Sequence, residues 1–309
     1  MIAVTGANGF VGRALCARLA SEGLAYRPLL RRASAPGDWA VGDIGPGTDW
    51  SSAVKGVRCV VHCAARVHLL QDSAASPLEA YRAVNVQGSR RLAEQAAAAG
   101  VKRLVFLSSI KVNGEHTVPG QAFAASDTPA PQDAYGQSKW EAEMALTEVA
   151  RDTGLELVVV RPPLVYGPGV RANFLRLMNW VARGVPLPLA KVNNRRSLVA
   201  LDNLVDLLLL CTHHPKASGQ TWMVSDGHDL STPDLVRAIG HAMGRPARLF
   251  GVPSSLLRLG GQLSGRAAEI DRLLGSLQVN AEPTFHALDW RPPISVEQGL
   301  RQAVMDHAP

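Results

Sequence analysis

Tyr135 and Lys139 stand four residues apart, so a helix through them sets both on one face, one turn above the other. A phenol with an ordinary pKa of about 10 transfers protons poorly at neutral pH, and a nearby ammonium favours its phenolate. The pair is therefore a candidate acid-base device. Residues 104–107 read as a buried strand that delivers Ser108 and Ser109 to the same edge. A second device lies at the N-terminus, where Gly6, Gly9 and Gly12 recur every third residue in a run that also holds Asn8, Phe10 and Val11. Such a turn bends tightly, brings the backbone against a pyrophosphate and seats it on the N-terminus of the following helix.

The strand Tyr26–Leu30 is followed by Arg31 and Arg32. In a dinucleotide fold an acid near this strand end holds the ribose 2′-hydroxyl of NAD, whereas arginine accommodates the 2′-phosphate of NADP. No acid stands there, so NADP(H) is favoured, with NAD(H) the other option. Asp43, after a short third strand, is placed to approach the adenine. Ala64 and Ala65 follow the apolar run 57–63 and form a small-residue loop at the carboxyl end of a buried strand, where this architecture binds its ligand.

These groups need a scaffold. Residues 11–22 read as a helix with Val11, Leu15 and Leu19 on one face, and 78–99 as another carrying Asn85 inward in a supporting role. Asp133 opens the long helix of Tyr135 and Lys139. Beyond Val170 come a helix from Ala172, an extended stretch at 186–189, a strand within 195–202, a helix over 203–212 and a strand at 221–225 that rejoins the large sheet. Ser231 caps a further helix, and small helices fill 252–309. The expected fold is α/β, a Rossmann-type doubly wound parallel sheet with a smaller, mostly helical C-terminal substrate domain. The dinucleotide-binding domain takes 1–168, with 196–226 rejoining it; 169–195 and 227–309 bind substrate.

A chain of 309 residues with 47% hydrophobic content suits a globular enzyme. The net charge of +6 comes from scattered basic residues, without the clustered, aromatic-interleaved pattern of a nucleic-acid binder, so a polyanionic small substrate accounts for it. Met1 leads straight into a strand and the apolar stretch 204–211 is too short to span a bilayer, so no membrane partner and a cytoplasmic location are expected. Cys16, Cys59, Cys63 and Cys211 lack disulfide or metal-ligand spacing and read as core thiols, and no metal site is expected.

Taken together, Thr5-Gly6-Ala7-Asn8-Gly9-Phe10-Val11-Gly12, Ser109, Tyr135 with Lys139, and Arg161-Pro162-Pro163-Leu164-Val165-Tyr166-Gly167-Pro168-Gly169 resemble the extended short-chain dehydrogenase/reductase family across essentially the whole chain. The match is to members acting on nucleotide-activated sugars. The resemblance implies that Tyr135 gives or takes the proton, that Lys139 binds the nicotinamide ribose and tunes Tyr135, and that Ser109 holds the reacting oxygen. Ser109 is preferred to Ser108 because it fits the family's Ser-x-x-Val-Tyr-Gly segment, in which Asn113 here replaces the tyrosine. Pro162 joins the cofactor contacts. Asn173 and Arg196 match residues that hold the substrate diphosphate, and Arg272 is a candidate second contact.

The stretches 108–115 and 130–136 resemble bacterial O-antigen (lipopolysaccharide) enzymes, reductases forming UDP-N-acetyl-quinovosamine-type sugars. The expected activity is accordingly NADPH-dependent reduction at C4 of a UDP-linked 4-keto-6-deoxyhexose. The alternative is a UDP-hexose or UDP-N-acetylhexosamine 4-epimerase that retains NAD. A 4,6-dehydratase is disfavoured because Ile110 and Lys111 stand where that branch has Asp-Glu. A reading from another class is a non-catalytic NAD(P)-binding regulator, against which the intact triad argues. The family further implies a homodimer built on the 78–99 and 134–152 helices.

Overall fold

Runs of β-branched and apolar residues between glycine-bearing turns form the strands, because such side chains fit a sheet covered on both faces. The computed structural model describes residues 1–67, 76–118 and 120–305. The chain runs through β1 (Ile2–Thr5), α1 (Phe10–Ser21), β2 (Tyr26–Leu30), β3 (Trp39–Ala40), α2 (Ser51–Val54) and β4 (Cys59–His62). Next come α3 (Pro77–Tyr81), α4 (Ser89–Ala98), β5 (Arg103–Leu107), α5 (Ala134–Thr153), β6 (Glu156–Arg161) and β7 (Leu164–Tyr166). The remainder comprises α6 (Ala172–Ala182), β8 (Leu198–Ala200), α7 (Leu201–Cys211), β9 (Gln220–Met223) and α8 (Thr232–Ala242). Four further helices close the described chain: α9 (Ser254–Leu263), α10 (Ala267–Leu274), α11 (Glu282–Ala287) and α12 (Val296–Met305).

Seven strands form a parallel sheet in the order β3-β2-β1-β4-β5-β6-β9. The register sets Thr5 beside both Leu29 and His62, so the carboxyl ends of β1, β2 and β4 share one edge. The winding reverses between β1 and β4, and there the ligand crevice of a doubly wound sheet opens. Leu15 and Leu19 of α1 and Leu204 and Leu208 of α7 cover one face against Val4, Val61 and Val105. Leu92 of α4 and Leu146 of α5 cover the other against Val60, Leu104 and Phe106. Each such side chain contributes about 1.5–3 kcal/mol on burial, so these faces, rather than surface ion pairs, hold the sheet. A third core, with Phe174, Met178, Ile239 and Leu300, unites α6, α8 and α12 beside it.

Two elements depart from the sequence expectation. The helix over 78–99 is not uniform, because Arg82–Gly88 forms a π-helical turn between α3 and α4. Asn85 lies in that turn, where its side chain binds both the N–H and the carbonyl of Arg66, at 2.8 and 3.0 Å, and donates to Ser138 Oγ at 2.9 Å. The second concerns 195–202: β8 pairs in parallel with β7 as a separate two-stranded sheet, while β9 does return to the large sheet beside β6. Residues 306–309, the end of the expected substrate region, lie outside the described residues. Among the described residues, no helix is long and apolar enough to cross a membrane.

Candidate active site

A cleft of about 1190 Å³ lies along the carboxyl edge of the sheet, floored by the glycine turn. Gly6 has φ +64°, and a Cβ there would meet the Ala64 backbone at 2.9 Å, so this turn and the loop after β4 touch only through glycine. At Gly12 a Cβ would stand 2.2 Å from the Gly6 carbonyl oxygen, which fixes how closely α1 approaches β1. The first turn of α1 carries no acidic residue. Its N-terminal N–H groups therefore present unopposed positive potential to the cleft. A dinucleotide pyrophosphate fits this cradle, whose close backbone contacts leave no room for a Cβ at Gly6 or Gly12.

The structure brings most of the expected cofactor residues to one cleft. Gly6, Asn8, Gly9, Phe10, Val11 and Gly12 line its floor, Ala64 and Ala65 one wall, and Pro162 another. Arg31, Arg32 and Asp43 line the far end. Arg31 Nε donates to Asp43 Oδ1 at 2.9 Å, and both side chains are largely exposed. Sequence reasoning missed Arg13, Arg66 and Arg171, which also line the cleft. Their signal was adjacency, since Arg13 follows Gly12 and Arg66 follows Ala65. Five arginines thus face a cleft whose one described carboxylate is Asp43, a balance suited to a polyanionic ligand.

Asp133 caps α5, its Oδ1 accepting from the Gly136 N–H at 2.7 Å. Tyr135 in the first turn and Ser109 after β5 both line the cleft. Lys139, one turn on, is 1% exposed. Its Nζ donates to the Leu107 carbonyl at 2.7 Å and lies 3.8 Å from the centre of the Phe106 ring.

The expected tuning of Tyr135 by Lys139 is not what this arrangement produces. Burial pushes the phenol up to about 12, the Asp133 charge adds to the rise, and the Ser109 hydrogen bond opposes it. Burial likewise pulls Lys139 down to about 7, against the attraction of Glu143. Loss of water thus governs both groups, and the ammonium points at a carbonyl.

Ser108 and Ser109 have separate tasks. Ser108 donates to Glu143, whose carboxylate also accepts from Arg161 Nε at 3.0 Å and from Arg161 Nη2. Arg161 Nη1 donates to Asn113 Oδ1 at 2.9 Å, and Asn113 Nδ2 donates to the Ala124 carbonyl at 2.9 Å. Asn113 is accordingly buried in a structural network. Thr5 Oγ1 and His62 Nδ1 share a hydrogen bond of 2.6 Å, and His62 Nε2 and Ser89 Oγ one of 2.8 Å. Burial, reinforced by the Lys139 charge, lowers His62 to about 3, so it is neutral.

The contacts of the expected substrate residues lead to α10. Arg196 Nη1 donates to the Arg272 carbonyl at 2.6 Å, so these two sit together. Burial and the neighbouring Arg272 lower the Arg196 pKa. Asn173 is exposed at the start of α6 and accepts from Arg176, which pairs with Glu269, one helical turn before Arg272 on α10.

A model of the NAD dependent epimerase/dehydratase family matches residues 2–225. The chain is 45% identical over 306 residues to a "UDP-glucose 4-epimerase" of Vibrio cholerae, covering 97% of this chain and 93% of that one. Among solved structures it resembles a short-chain dehydrogenase/reductase superfamily protein of Agrobacterium tumefaciens with bound NAD, at 23% identity, a TM-score of 0.76 and coverage of 99% and 97%. It also resembles a UDP-glucuronic acid 4-epimerase of Bacillus cereus in complex with NAD, at 19% identity, a TM-score of 0.76 and coverage of 97% and 94%.

Proposed function

Because the chain belongs to the NAD dependent epimerase/dehydratase family, we propose that it inverts C4 of a UDP-linked hexose, using a dinucleotide seated in the cleft. The observation that carries this reading is the near full-length similarity to the Vibrio protein. The glycine turn and the start of α1 take the pyrophosphate, and Ala64, Ala65 and Pro162 flank the remainder. When bound there, the nicotinamide supplies reversible hydride transfer at C4. Tyr135 takes the C4 hydroxyl proton and returns it, while Ser109 hydrogen-bonds that oxygen. Lys139 steadies the nicotinamide ribose below them. Arg196 and Arg272 hold the substrate diphosphate, with Asn173 at its margin. The working unit is a homodimer.

Net reduction of a UDP-4-keto-6-deoxyhexose, the expectation from sequence, is the second reading. Arg31 and Arg32 directly after β2, where the sequence places no acid, favour an exchanging NADP(H) over a retained NAD, although Arg31 pairs with Asp43 across the cleft end. Dehydration is disfavoured: after Ser109 come buried Ile110 and Lys111, whose amine is paired with two carboxylates.

The test is to incubate the purified protein with UDP-glucose, and separately with UDP-N-acetylglucosamine, without added reductant and to follow the C4 epimer by proton NMR. Interconversion supports the epimerase. No interconversion, together with stoichiometric NADPH oxidation on a UDP-4-keto-6-deoxyhexose, replaces it with the reductase.

A further inference from the structure

Lys111 lies between two carboxylates, with Nζ donating to Glu115 Oε1 at 2.9 Å and to Asp133 Oδ2. Its main chain is engaged as well. The Lys111 N–H donates to Ser109 Oγ at 3.2 Å, and a Cβ on Gly136 would stand 2.7 Å from the Lys111 carbonyl oxygen. One residue therefore touches the side chain of Ser109, the cap of the helix that carries Tyr135, and the backbone of that helix's first turn. We propose that Lys111 is a positioning residue for the proton transfer at Tyr135: it holds Ser109 and the start of α5 in register and neutralises the Asp133 carboxylate beside the phenol.

Asp133 cannot simply be absent from this site. It caps α5 through Gly136, and replacing such a cap costs about 0.5–2 kcal/mol. The cap nevertheless leaves a negative charge two residues from a phenol that must become a phenolate, and that charge raises the phenol's pKa. A cation on the other carboxylate oxygen keeps the cap and offsets part of that charge.

Among the other described contacts around the phenol, Tyr81 meets its ring edge-on at 6.2 Å, Arg66 stacks on Tyr81, and Lys139 faces Leu107. Ser109 is uncharged. Arg272 lies 3.9 Å from Glu115. Lys111 is 26% exposed, sheltered enough for its charge to act over this distance.

The inference rests on Tyr135 being the proton-transfer group, and the experiment separates the two. In the full-length protein, Lys111→Met and Lys111→Arg are compared with wild type, with Asp133→Asn and with the double variant Lys111→Met/Asp133→Asn. The first readout needs no turnover: tyrosinate absorbance within milliseconds of an alkaline pH jump, taken as the difference from Tyr135→Phe. The second is the acid limb of the kcat profile.

Lys111→Met should raise the Tyr135 midpoint and move the acid limb to higher pH, each by about 0.5–1 unit. Lys111→Arg should restore both, and so should the double variant, since Asp133 is the carboxylate that acts on the phenol and Glu115 keeps Arg272 at 3.9 Å. A Lys111→Met midpoint at the wild-type value, or a double variant as shifted as the single one, overturns the inference. If Lys111→Met does not fold, Lys111→Gln carries the same comparison. Full turnover by Tyr135→Phe defeats the catalytic reading instead, while the pH-jump result still decides whether Lys111 acts on Tyr135.

Discussion

At the scale of single residues the site is governed by desolvation. Tyr135 and Lys139 both lose water, which raises the phenol and lowers the amine, so each is drawn toward its neutral form. A bound substrate hydroxyl must therefore be met by a phenol whose ionisation is aided locally, by Ser109 and by the neutralising of Asp133. Replacing Tyr135 with Phe keeps the ring against Tyr81 and removes the proton donor. Turnover should fall by roughly 10²–10⁴, the usual share of an acid-base group, while dinucleotide affinity stays near wild type. Steady-state kinetics and equilibrium dialysis measure the two, and unchanged kcat would exclude Tyr135 from the chemistry.

At the scale of elements, each catalytic group is placed by the end of a strand or the start of a helix. β5 ends at Leu107 and presents Ser108 inward to Glu143 and Ser109 to the cleft. The same Glu143 lies one turn beyond Lys139 on α5 and is held by Arg161 at the end of β6. Three elements are thereby locked together beneath the reacting groups. The coenzyme end is looser. The exposed Arg31–Asp43 pair contributes at most about 1 kcal/mol, so a ligand phosphate can displace it. If Arg31 and Arg32 grip a 2′-phosphate, changing both to Ala should weaken NADP(H) by about 1–3 kcal/mol per lost charged hydrogen bond and leave NAD(H) nearly unaffected. Fluorescence titration with each coenzyme checks this. Equal losses would mark the arginines as a solvated turn and favour NAD.

At the scale of the molecule, the outer face of α5 is unlike an ordinary solvated helix. Met144 is 45% exposed beside Trp140, in a groove of about 620 Å³ between the charged residues Arg90, Glu148 and Arg151. Arg90 bonds Glu148 at 2.6 Å and Arg82 bonds Glu141, tying α4 and the π turn to α5 as one surface. A second copy meeting this face would bury the apolar strip within a ring of charge. We expect a dimer at micromolar concentration by sedimentation equilibrium, and expect Met144→Glu to shift the mass toward the monomer with its thermal melt little changed. A monomeric wild type would contradict the proposed assembly.

Much of this was legible in the chain because it depends on local pattern. The strand, glycine turn and helix at 2–22, the four-residue spacing of Tyr135 and Lys139, and the cap at Asp133 all follow from short-range sterics and hydrogen bonding, which a sequence displays directly. Cys59 and Cys211 are buried free thiols, as their lack of spacing implied. What tertiary structure alone decided concerns pairs distant in the chain. The sequence cannot show that Arg31 would meet Asp43, that Arg13, Arg66 and Arg171 would converge on one cleft, or that β8 would pair with β7. The sign of the Tyr135 shift belongs here too, because it follows from how much water packing removes, and residue spacing carries no information about that.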